Sequence, residues 1–309
     1  METIELKQSV TFKNILLATD FSQVSKKAVP YAAGIARRYG SKIYVIHVIS
    51  PEARTPIPIE PLPAELHRDR VNAEVEMQTF LRENPLANIP HDELLEYGPI
   101  WDVLSEEIQR DEIDLLVLGT HGRGGLKKVI LGSVAEELFR LAPCPVLTVG
   151  PAVPAEARSA KQFRQILFAT DFGPASLHAL QYAVSLANES GARLILLHVV
   201  TPVPVVEVGP YWYPGTDLVE QQKTAKARYI GRLKDLIKPD ANLASEAEFL
   251  VDFDFAPDAI VRTAVVSDAD LIVMGVNQAA SARASAHLPW ATAHEVVCHA
   301  KCPVLTVRS

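Results

Sequence analysis

The sequence predicts an α/β fold built from two tandem, doubly wound, mostly parallel five-stranded sheets. The first observation behind this prediction is an internal repeat, because residues 12–48 match residues 163–199 without a gap and residues 142–149 reappear as 300–307. The second is that short apolar runs alternate with stretches of helical periodicity in each half. The third is a glycine-spaced loop that follows a buried strand. We therefore expect a first domain over 1–150, a Pro- and Ala-rich surface linker over 151–162 and a second domain over 163–309.

The elements of the first half follow one another in regular order. Runs of Ile, Val and Leu predict the strands, and apolar residues at helical spacing predict the helices, the first of which ends near Gly40. A Pro-rich loop covers 51–63. Parallel strands need crossover helices between them, so this alternation favours a parallel sheet. The predicted strands cover 14–19, 42–49, 93–97, 114–118 and 146–149, and the predicted helices cover 25–38, 64–83, 101–109 and 133–140.

The glycine-spaced loop is the first candidate for a binding site. Gly119 and Gly122 are followed, after nine residues, by Gly132 and Ser133. Glycines let backbone approach a ligand closely, and a helix that begins near Ser133 would present free N–H groups that favour an anion. The loop therefore predicts a phosphate-binding cradle, with a simple tight turn as the alternative.

Three strand ends carry the other candidates. In a doubly wound sheet the ligand lies beyond the carboxyl ends of the strands, where the strand order reverses. Asp20 ends the first strand, Val48 lies at the end of the second, and Gly119 ends the fourth. They meet in one crevice if the first and fourth strands are neighbours. Asp20 could also cap the next helix through Ser22, and the two roles can coexist.

Composition and cysteine use narrow the classes of function. The chain is 48% hydrophobic, 22% charged and carries a formal charge of -7, which argues against a nucleic-acid partner. No apolar run is long enough for a membrane helix and the first eight residues lack a signal layout, so we expect a cytoplasmic protein. Cys144 and Cys302 occupy equivalent places and are expected to be buried. Cys298 and Cys302 could be imagined as a metal pair, but packing is the better interpretation because further ligands are missing.

These motifs together resemble the universal stress protein family, and specifically its ATP-binding branch. That branch has the signature Gly, two residues, Gly, nine residues, Gly, then Ser or Thr, and this chain matches it at every fixed place. Residues 18–21 (Ala-Thr-Asp-Phe) and 144–147 (Cys-Pro-Val-Leu) also match. The resemblance covers nearly the whole chain as two tandem family domains. It implies a Rossmann-like fold, similar to that of the adenine nucleotide alpha hydrolases.

The resemblance also implies a set of ligand contacts. Asp20 and Val48 would contact the ribose and adenine, backbone near Ala18 and Leu118 would help, and the glycines with Ser133 and Val134 would hold the phosphates. No fixed role carries over to the two polar residues inside the loop, and no catalytic or metal-binding residue is assigned. The expected ligand is ATP accompanied by Mg²⁺, and its candidate residues are Ala18, Thr19, Asp20, Val48, Leu118, Gly119, His121, Gly122, Arg123, Gly132, Ser133 and Val134.

The second half departs from this pattern. Asp171, Val199 and Gly275 remain, but Gly122 is replaced by Gln278. The places of Gly132 and Ser133 fall on Trp290, which follows a proline, and on Ala291. We predict that this half binds no triphosphate, unless Thr292 supplies a hydroxyl in a shifted register. Asp171 would then be a structural cap or serve a smaller ligand.

Other conspicuous residues have structural interpretations. His47 and His198 are flanked by apolar residues at equivalent places, so they are expected to be hydrogen-bonded core histidines rather than catalysts. The aromatic run Tyr211, Trp212 and Tyr213 lies in a Pro-rich segment. It covers either the second crevice or a partner surface, or it folds onto its own core.

The chain offers little for catalysis. It lacks a P-loop, and the loop cations Arg123, Lys127 and Lys128 have no acidic partner nearby in sequence, so at most slow ATP hydrolysis is expected. The leading hypothesis is a stress-response protein that binds ATP in its first half as a conformational or partner-binding signal. The alternatives are a slow ATPase that acts as a timer and a dimeric scaffold that binds no nucleotide. The resemblance further implies that strands 146–149 and 304–307 pair within one chain as a pseudo-dimer; a homodimer and an unknown protein partner stay open.

Overall fold

The computed structural model describes residues 10–50, 63–84, 86, 88–120, 132–154, 163–201, 218–237, 243, 245–276 and 291–308. The first half contains β1 (Asn14–Ala18), α1 (Gln23–Tyr39), β2 (Lys42–Ile49), α2 (Pro63–Glu83), β3 (His91–Tyr97), α3 (Ile100–Arg110), β4 (Leu115–Gly119), α4 (Ser133–Leu141) and β5 (Val146–Val149). The second half contains β6 (Gln165–Ala169), α5 (Pro174–Ser190), β7 (Arg193–Val199), α6 (Leu218–Leu236), β8 (Glu248–Asp252), α7 (Ala256–Val266), β9 (Leu271–Val276), α8 (Ala291–His299) and β10 (Val304–Arg308). These elements confirm the predicted alternation of strands and helices.

The ten described strands form one continuous sheet in the order β3-β2-β1-β4-β5-β10-β9-β6-β7-β8. Within each half the strands are parallel, and the order reverses beside β1 and beside β6. β1 and β4 are neighbours, with Ala18 opposite Leu118. The doubly wound fold is therefore confirmed, as is the adjacency on which the predicted crevice depends.

The two halves join through their last strands. β5 and β10 run antiparallel, with Leu147 opposite Leu305. The Thr148 hydroxyl donates to the Val304 carbonyl across this pair at 3.1 Å, and the Thr306 hydroxyl donates to the Val146 carbonyl at 3.3 Å. The predicted pairing of the terminal strands is confirmed, and it removes two exposed sheet edges.

The strands are apolar on both sides because helices cover both faces of the sheet. Alternate residues such as Ile15 and Leu115 pack with α1, α2, α5 and α6 in one buried cluster. Their neighbours Leu16 and Leu116 pack with α3, α4, α7 and α8 in a second cluster. The second face carries α4, whose first turn lies next to the predicted crevice.

An aspartate at the start of β4 and of β9 ties each half together. Asp114 accepts the N–H of Lys13 at 2.7 Å, and Asp270 accepts the N–H of Arg164 at 2.8 Å. Burial raises the pKa of Asp114, against the opposing effect of the N–H groups that it accepts. Each aspartate thereby fixes the entrance to β1 or β6, the strand that leads to the crevice.

The segment after β5 differs from the predicted surface linker. Val153 is buried in the first cluster, and its carbonyl accepts a hydrogen bond from the Lys27 ammonium of α1 at 2.7 Å. The same ammonium donates to the Pro151 carbonyl at 3.2 Å. The prediction of a surface linker is therefore wrong at Val153, since Pro/Ala-rich composition did not reveal one apolar anchor. Residues 155–162 lie outside the described residues.

Candidate functional site

The turn after β1 forms the first wall of the candidate site. The Thr19 N–H donates to the Ile46 carbonyl at 2.9 Å, which extends the pairing of β1 with β2 by one residue. Phe21 has a positive φ of 64°. Its N–H donates to the Thr19 hydroxyl at 3.0 Å, so the turn is closed by a side chain. This conformation redirects the chain from the carboxyl end of β1 into α1.

Asp20 holds this turn with one of its oxygens. Its Oδ1 accepts the N–H of Ser22 at 3.0 Å. Ser22, rather than Asp20, is the N-cap of α1 and accepts the N–H of Ser25 at 3.2 Å. Asp20 therefore has a structural role, because it stabilises the turn directly before the N-cap of α1. A ribose contact by the same residue stays a prediction.

The second half contains a closely similar turn. Phe172 has a φ of 62°, and its N–H donates to the Thr170 hydroxyl at 2.9 Å. Asp171 Oδ1 accepts both the N–H of Gly173 and the hydroxyl of Ser176, each at 2.8 Å. Because Gly173 has no side chain with which to cap α5, Asp171 makes the contacts that stabilise the start of this helix. This geometry favours the structural interpretation of Asp171.

Gly119 has a packing role that the sequence did not reveal. A Cβ at this position would lie 2.9 Å from both the N atom of Ser25 and the carbonyl oxygen of Val24 in α1. At Gly275, the equivalent place, a Cβ would lie 2.3 Å from the N atom of Ser176 in α5. Both halves therefore need a glycine here to let a helix approach the sheet. Phosphate contact by Gly119 stays a prediction.

The two ends of the glycine-spaced loop meet at the end of β4. The Gly132 N–H donates to the Thr120 carbonyl at 2.9 Å, and the Thr120 N–H donates to the Val149 carbonyl at 3.1 Å. A Cβ on Gly132 would lie 3.2 Å from the Thr120 carbonyl oxygen, which is closer than most side chains approach. These contacts form a narrow neck between positions 120 and 132. The predicted ligand contacts His121, Gly122 and Arg123 lie outside the described residues.

The start of α4 faces this neck. Gly132 is its N-cap with φ -62° and ψ 146°, and in the part of the chain that the structure describes no side chain caps the N–H groups of the first turn. Ser133 begins the helix and Val134 is 37% exposed. The amides of a first helical turn carry partial positive charge. The neck and the first turn of α4 thus combine close backbone approach with N–H donors suited to an anion.

An apolar wall lies on the same face of the sheet as α4. Leu118 is buried, whereas Ala18 and Val48 are only partly buried at their strand ends. Ile100 and Val103 of α3 pack on the same cluster and are also partly buried. The structure thus brings together the predicted residues Ala18, Val48 and Leu118.

The turn from β3 to α3 borders this wall and was missed in the sequence. The Gly98 N–H donates to the Ile49 carbonyl at 3.2 Å, and Gly98 has a φ of 150°. The signal that could have indicated it is the pair Gly98 and Pro99, which breaks the strand and starts a helix.

The second half starts its last helix in the same register. α8 begins at Ala291 and has nine residues, as α4 does from Ser133. The alignment of Ala291 with Ser133 therefore agrees with the structure, and Thr292 corresponds to Val134. Gln278, Pro289, Trp290 and the aromatic run 211–213 lie outside the described residues.

The two strand histidines are hydrogen-bonded to backbone, as predicted. His47 Nδ1 lies 2.8 Å from the Thr19 carbonyl, and His198 Nδ1 lies 2.8 Å from the Thr170 carbonyl. Each imidazole also packs on the phenylalanine of the adjacent turn, with ring centroids 4.3 Å and 4.6 Å apart. Burial lowers the pKa of His198, and the Arg232 guanidinium lowers it further. These rings stabilise the turns at the carboxyl ends of β1 and β6.

The cysteines are packing residues, as predicted. Cys144, Cys298 and Cys302 are all buried thiols, and burial raises the pKa of Cys144 and of Cys302 to about 12. Within the described ranges, no group of three or more His, Cys, Asp or Glu side chains could hold a metal ion. None of the described helices is long and apolar enough to cross a membrane.

Comparison with known proteins gives the family. The model of the universal stress protein family matches residues 11–150 and again residues 162–308. A universal stress protein of Methanocaldococcus jannaschii is 33% identical over 141 residues, which are 45% of this chain and 82% of that protein. A putative universal stress protein of Staphylococcus aureus is 31% identical over 143 residues, 45% of this chain and 85% of that protein.

Solved structures give the same fold over nearly the whole length of the chain. The crystal structure of a universal stress protein from Archaeoglobus fulgidus has a TM-score of 0.67 at 20% identity, and the alignment covers 96% of this chain and 98% of that one. A putative universal stress protein from Pseudomonas aeruginosa has a TM-score of 0.57 at 19% identity, covering 96% and 93%. The repeat, the reversal of strand order at β1 and the twice-matched family model agree, and the chain belongs to the universal stress protein family as a tandem member.

Proposed function

We propose that the first half binds ATP at the carboxyl edge of β1, β2 and β4, and that occupancy acts as a conformational or partner-binding signal in the stress response. The observation that carries the proposal is the hydrogen bond from Gly132 to the Thr120 carbonyl. It joins the two ends of the loop 121–131 at the point where strand order reverses, directly before the first turn of α4. The two described residues that flank this segment are thereby held beside the first turn of α4, where we place the phosphate chain.

The residues present fit a nucleotide in two further respects. Ala18 and Val48 leave a partly buried apolar wall on the face of the sheet that carries α4, which suits a planar base. The neck is tight at Gly132, where an added Cβ would lie 3.2 Å from the Thr120 carbonyl oxygen and would require it to shift. Mg²⁺ accompanies ATP in this proposal, since it neutralises part of the phosphate charge.

The test is the number of ATP molecules bound per chain at saturation, measured by equilibrium dialysis of the full chain with Mg²⁺. One molecule per chain is expected. Two would contradict the prediction that the second half has lost its phosphate cradle, and none would favour a scaffold that binds no nucleotide.

A pair of variants localises the binding. Gly132→Trp places in the first half the residue type that the second half carries, and it should abolish binding because its Cβ already meets the Thr120 carbonyl. Glu137→Trp introduces the same side chain at an exposed position of α4 and should bind like the unchanged chain. Equal affinity of both variants would refute this site. Phosphate release that Gly132→Trp abolishes would instead favour the slow ATPase.

The dialysis should include cAMP as a competitor. One solved universal stress protein is described as a complex with cAMP, but its similarity to this chain is too low to choose a ligand. Displacement of ATP by cAMP at comparable concentration would broaden the proposed ligand to adenine nucleotides. No displacement would restrict it to ligands with a longer phosphate chain.

A further inference from the structure

The outer face of α7 carries large exposed apolar side chains at both of its ends. Phe255, the N-cap of this helix, is 56% exposed, and Val265 and Val266 at its other end are 46% and 81% exposed. Between them lie Asp258 and Arg262, both exposed. Such large exposed apolar side chains on one helix face are typical of an interaction surface.

The spacing along this face is that of a packing seam. Positions 255, 258, 262 and 265 are separated by three, four and three residues, which keeps them on one side of an α-helix. The seam thus has an apolar side chain at each end and two opposite charges in the middle.

The seam is complementary to itself. If a second α7 packs antiparallel across a two-fold axis near position 260, Phe255 lies opposite Val265 of the second copy, and Asp258 lies opposite Arg262 of the second copy. Each contact then occurs twice, as an isologous interface requires. Within the described part of the chain Asp258 makes no hydrogen bond or ion pair, so its carboxylate is available.

Arg262 is held in place for such a contact. Its Nη1 lies 2.8 Å from Asp254 and its Nη2 lies 2.7 Å from Asp252. A guanidinium has five N–H donors, so donors remain after these two contacts. The two carboxylates fix the orientation of the fork, which lowers the entropic cost of a third contact.

The equivalent face of the first half lacks this pattern. The matching positions on α3 are Pro99, Asp102, Glu106 and Gln109, all exposed. Antiparallel pairing of α3 with itself would place Asp102 opposite Glu106 of a second copy, where like charges repel. The self-complementary seam therefore distinguishes α7 from its internal counterpart.

We propose that the chain forms a symmetric homodimer through antiparallel packing of α7 against α7 of a second copy. Burial of Phe255 and the two valines supplies the affinity, and the Asp258–Arg262 pairs fix the register. This interface lies outside the β5–β10 pairing, which is internal to one chain. It is independent of the nucleotide proposed for the first half.

The test measures the mass of the full chain by sedimentation across a dilution series, without nucleotide. The unchanged chain should dimerise. Asp258→Lys and Arg262→Glu should each weaken association by at least about tenfold. Each variant makes positions 258 and 262 of facing copies carry the same charge, and this repulsive pair occurs twice in the dimer. A mixture of the two variants should dimerise again, since both cross-pairs in the mixed dimer are then of opposite charge. Asp102→Lys on α3 is the matched control and should dimerise normally.

Three results would overturn the proposal. These are a monomer at all concentrations, single variants that dimerise as well as the unchanged chain, and a mixture that fails to reassociate. Should Arg262→Glu fail to fold after loss of its contacts with Asp252 and Asp254, Val265→Glu replaces it. That side chain is 46% exposed and lies opposite Phe255 of the second copy, so the variant should fold normally and be monomeric. A folded Val265→Glu dimer would equally refute the α7 interface.

Discussion

Replacement of Gly275 by alanine should destabilise the protein although it adds one methyl group. The new Cβ would lie 2.3 Å from the Ser176 N atom and from the Ala175 carbonyl carbon, and 2.5 Å from the Ala175 oxygen. All three atoms belong to the backbone of α5, so no side-chain rotation can relieve the contact. Carbon atoms in contact normally lie about 3.5–4 Å apart, so β9 and α5 must separate by roughly 1 Å.

That separation has a calculable cost. It weakens the packing of α5 on the sheet and the contact between the Thr170 and Ser176 hydroxyls, which lie 2.9 Å apart. Overpacking of this kind costs about 1–3 kcal/mol of unfolding free energy, and contact with backbone places Gly275→Ala at the upper end. Gly119→Ala should cost less, because the closest distances there are 2.9 Å.

Gly231→Ala is the matched control. Gly231 lies within α6 and has no positive φ, and a Cβ added there would have no described heavy atom within 4 Å beyond its own helix, so the methyl group meets no obstacle. Alanine should stabilise this helix by about 0.5–1 kcal/mol. In urea unfolding followed by circular dichroism, the unfolding free energy should be highest for Gly231→Ala, lower for the unchanged chain, lower again for Gly119→Ala and lowest for Gly275→Ala. An unfolding free energy of Gly275→Ala within about 0.5 kcal/mol of that of the unchanged chain would refute the steric argument.

Three further predictions concern the pairing of β5 with β10 and the buried His198. Leu305→Ala should lower the unfolding free energy by about 2–5 kcal/mol in urea unfolding, because Leu305 is buried where β10 pairs with β5. A loss below about 1 kcal/mol would mean that the residues around the β5–β10 pair collapse into the cavity. Since burial lowers the pKa of His198 below 6.5, the unfolded chain binds its proton first as pH falls, so stability should be complete above about pH 6.5 and decline as pH falls toward the folded pKa. The melting temperature of His198→Gln should decline less over that range, and an identical decline would assign the effect to other groups. Arg232→Gln should raise the pKa of His198 and Asp171→Asn should lower it, as their charges dictate; an NMR titration that finds the opposite signs would contradict this electrostatic account.

Local signals in the sequence were enough to predict most elements of the fold. The first helix was expected to end near Gly40, and α1 ends there with Gly40 at a φ of 69°. Gly191 ends α5 in the same way with a φ of 63°. Both cases follow from the freedom of glycine to adopt the left-handed conformation. The parallel direction of the strands within each half followed from their alternation with helices, and the β5–β10 pairing followed from the family resemblance. The adjacency of β1 and β4 was an assumption that the structure confirms.

Tertiary contacts explain what the sequence could not predict. Phe21 and Phe172 adopt positive φ, which phenylalanine rarely does, in turns where their rings pack on His47 and His198. Burial of Val153 depends on an anchor from Lys27, which lies far away in sequence. No local pattern reports such partners, so propensity alone predicts an ordinary turn in the first case and a surface linker in the second.

Glycine at the end of the fourth strand is a poor indicator of phosphate binding in this fold. Gly275 remains in a half that has lost the rest of the signature, and its retention is explained by the approach of α5 alone. Gly119 meets the same requirement from α1, so its presence does not distinguish a binding half from a non-binding one. Under the proposed function Gly132 is the residue expected to distinguish them, because its neighbour is the Thr120 carbonyl rather than a packed helix. The first half is therefore best judged by the residue before α4, and the tryptophan at position 290 is the strongest difference between the halves.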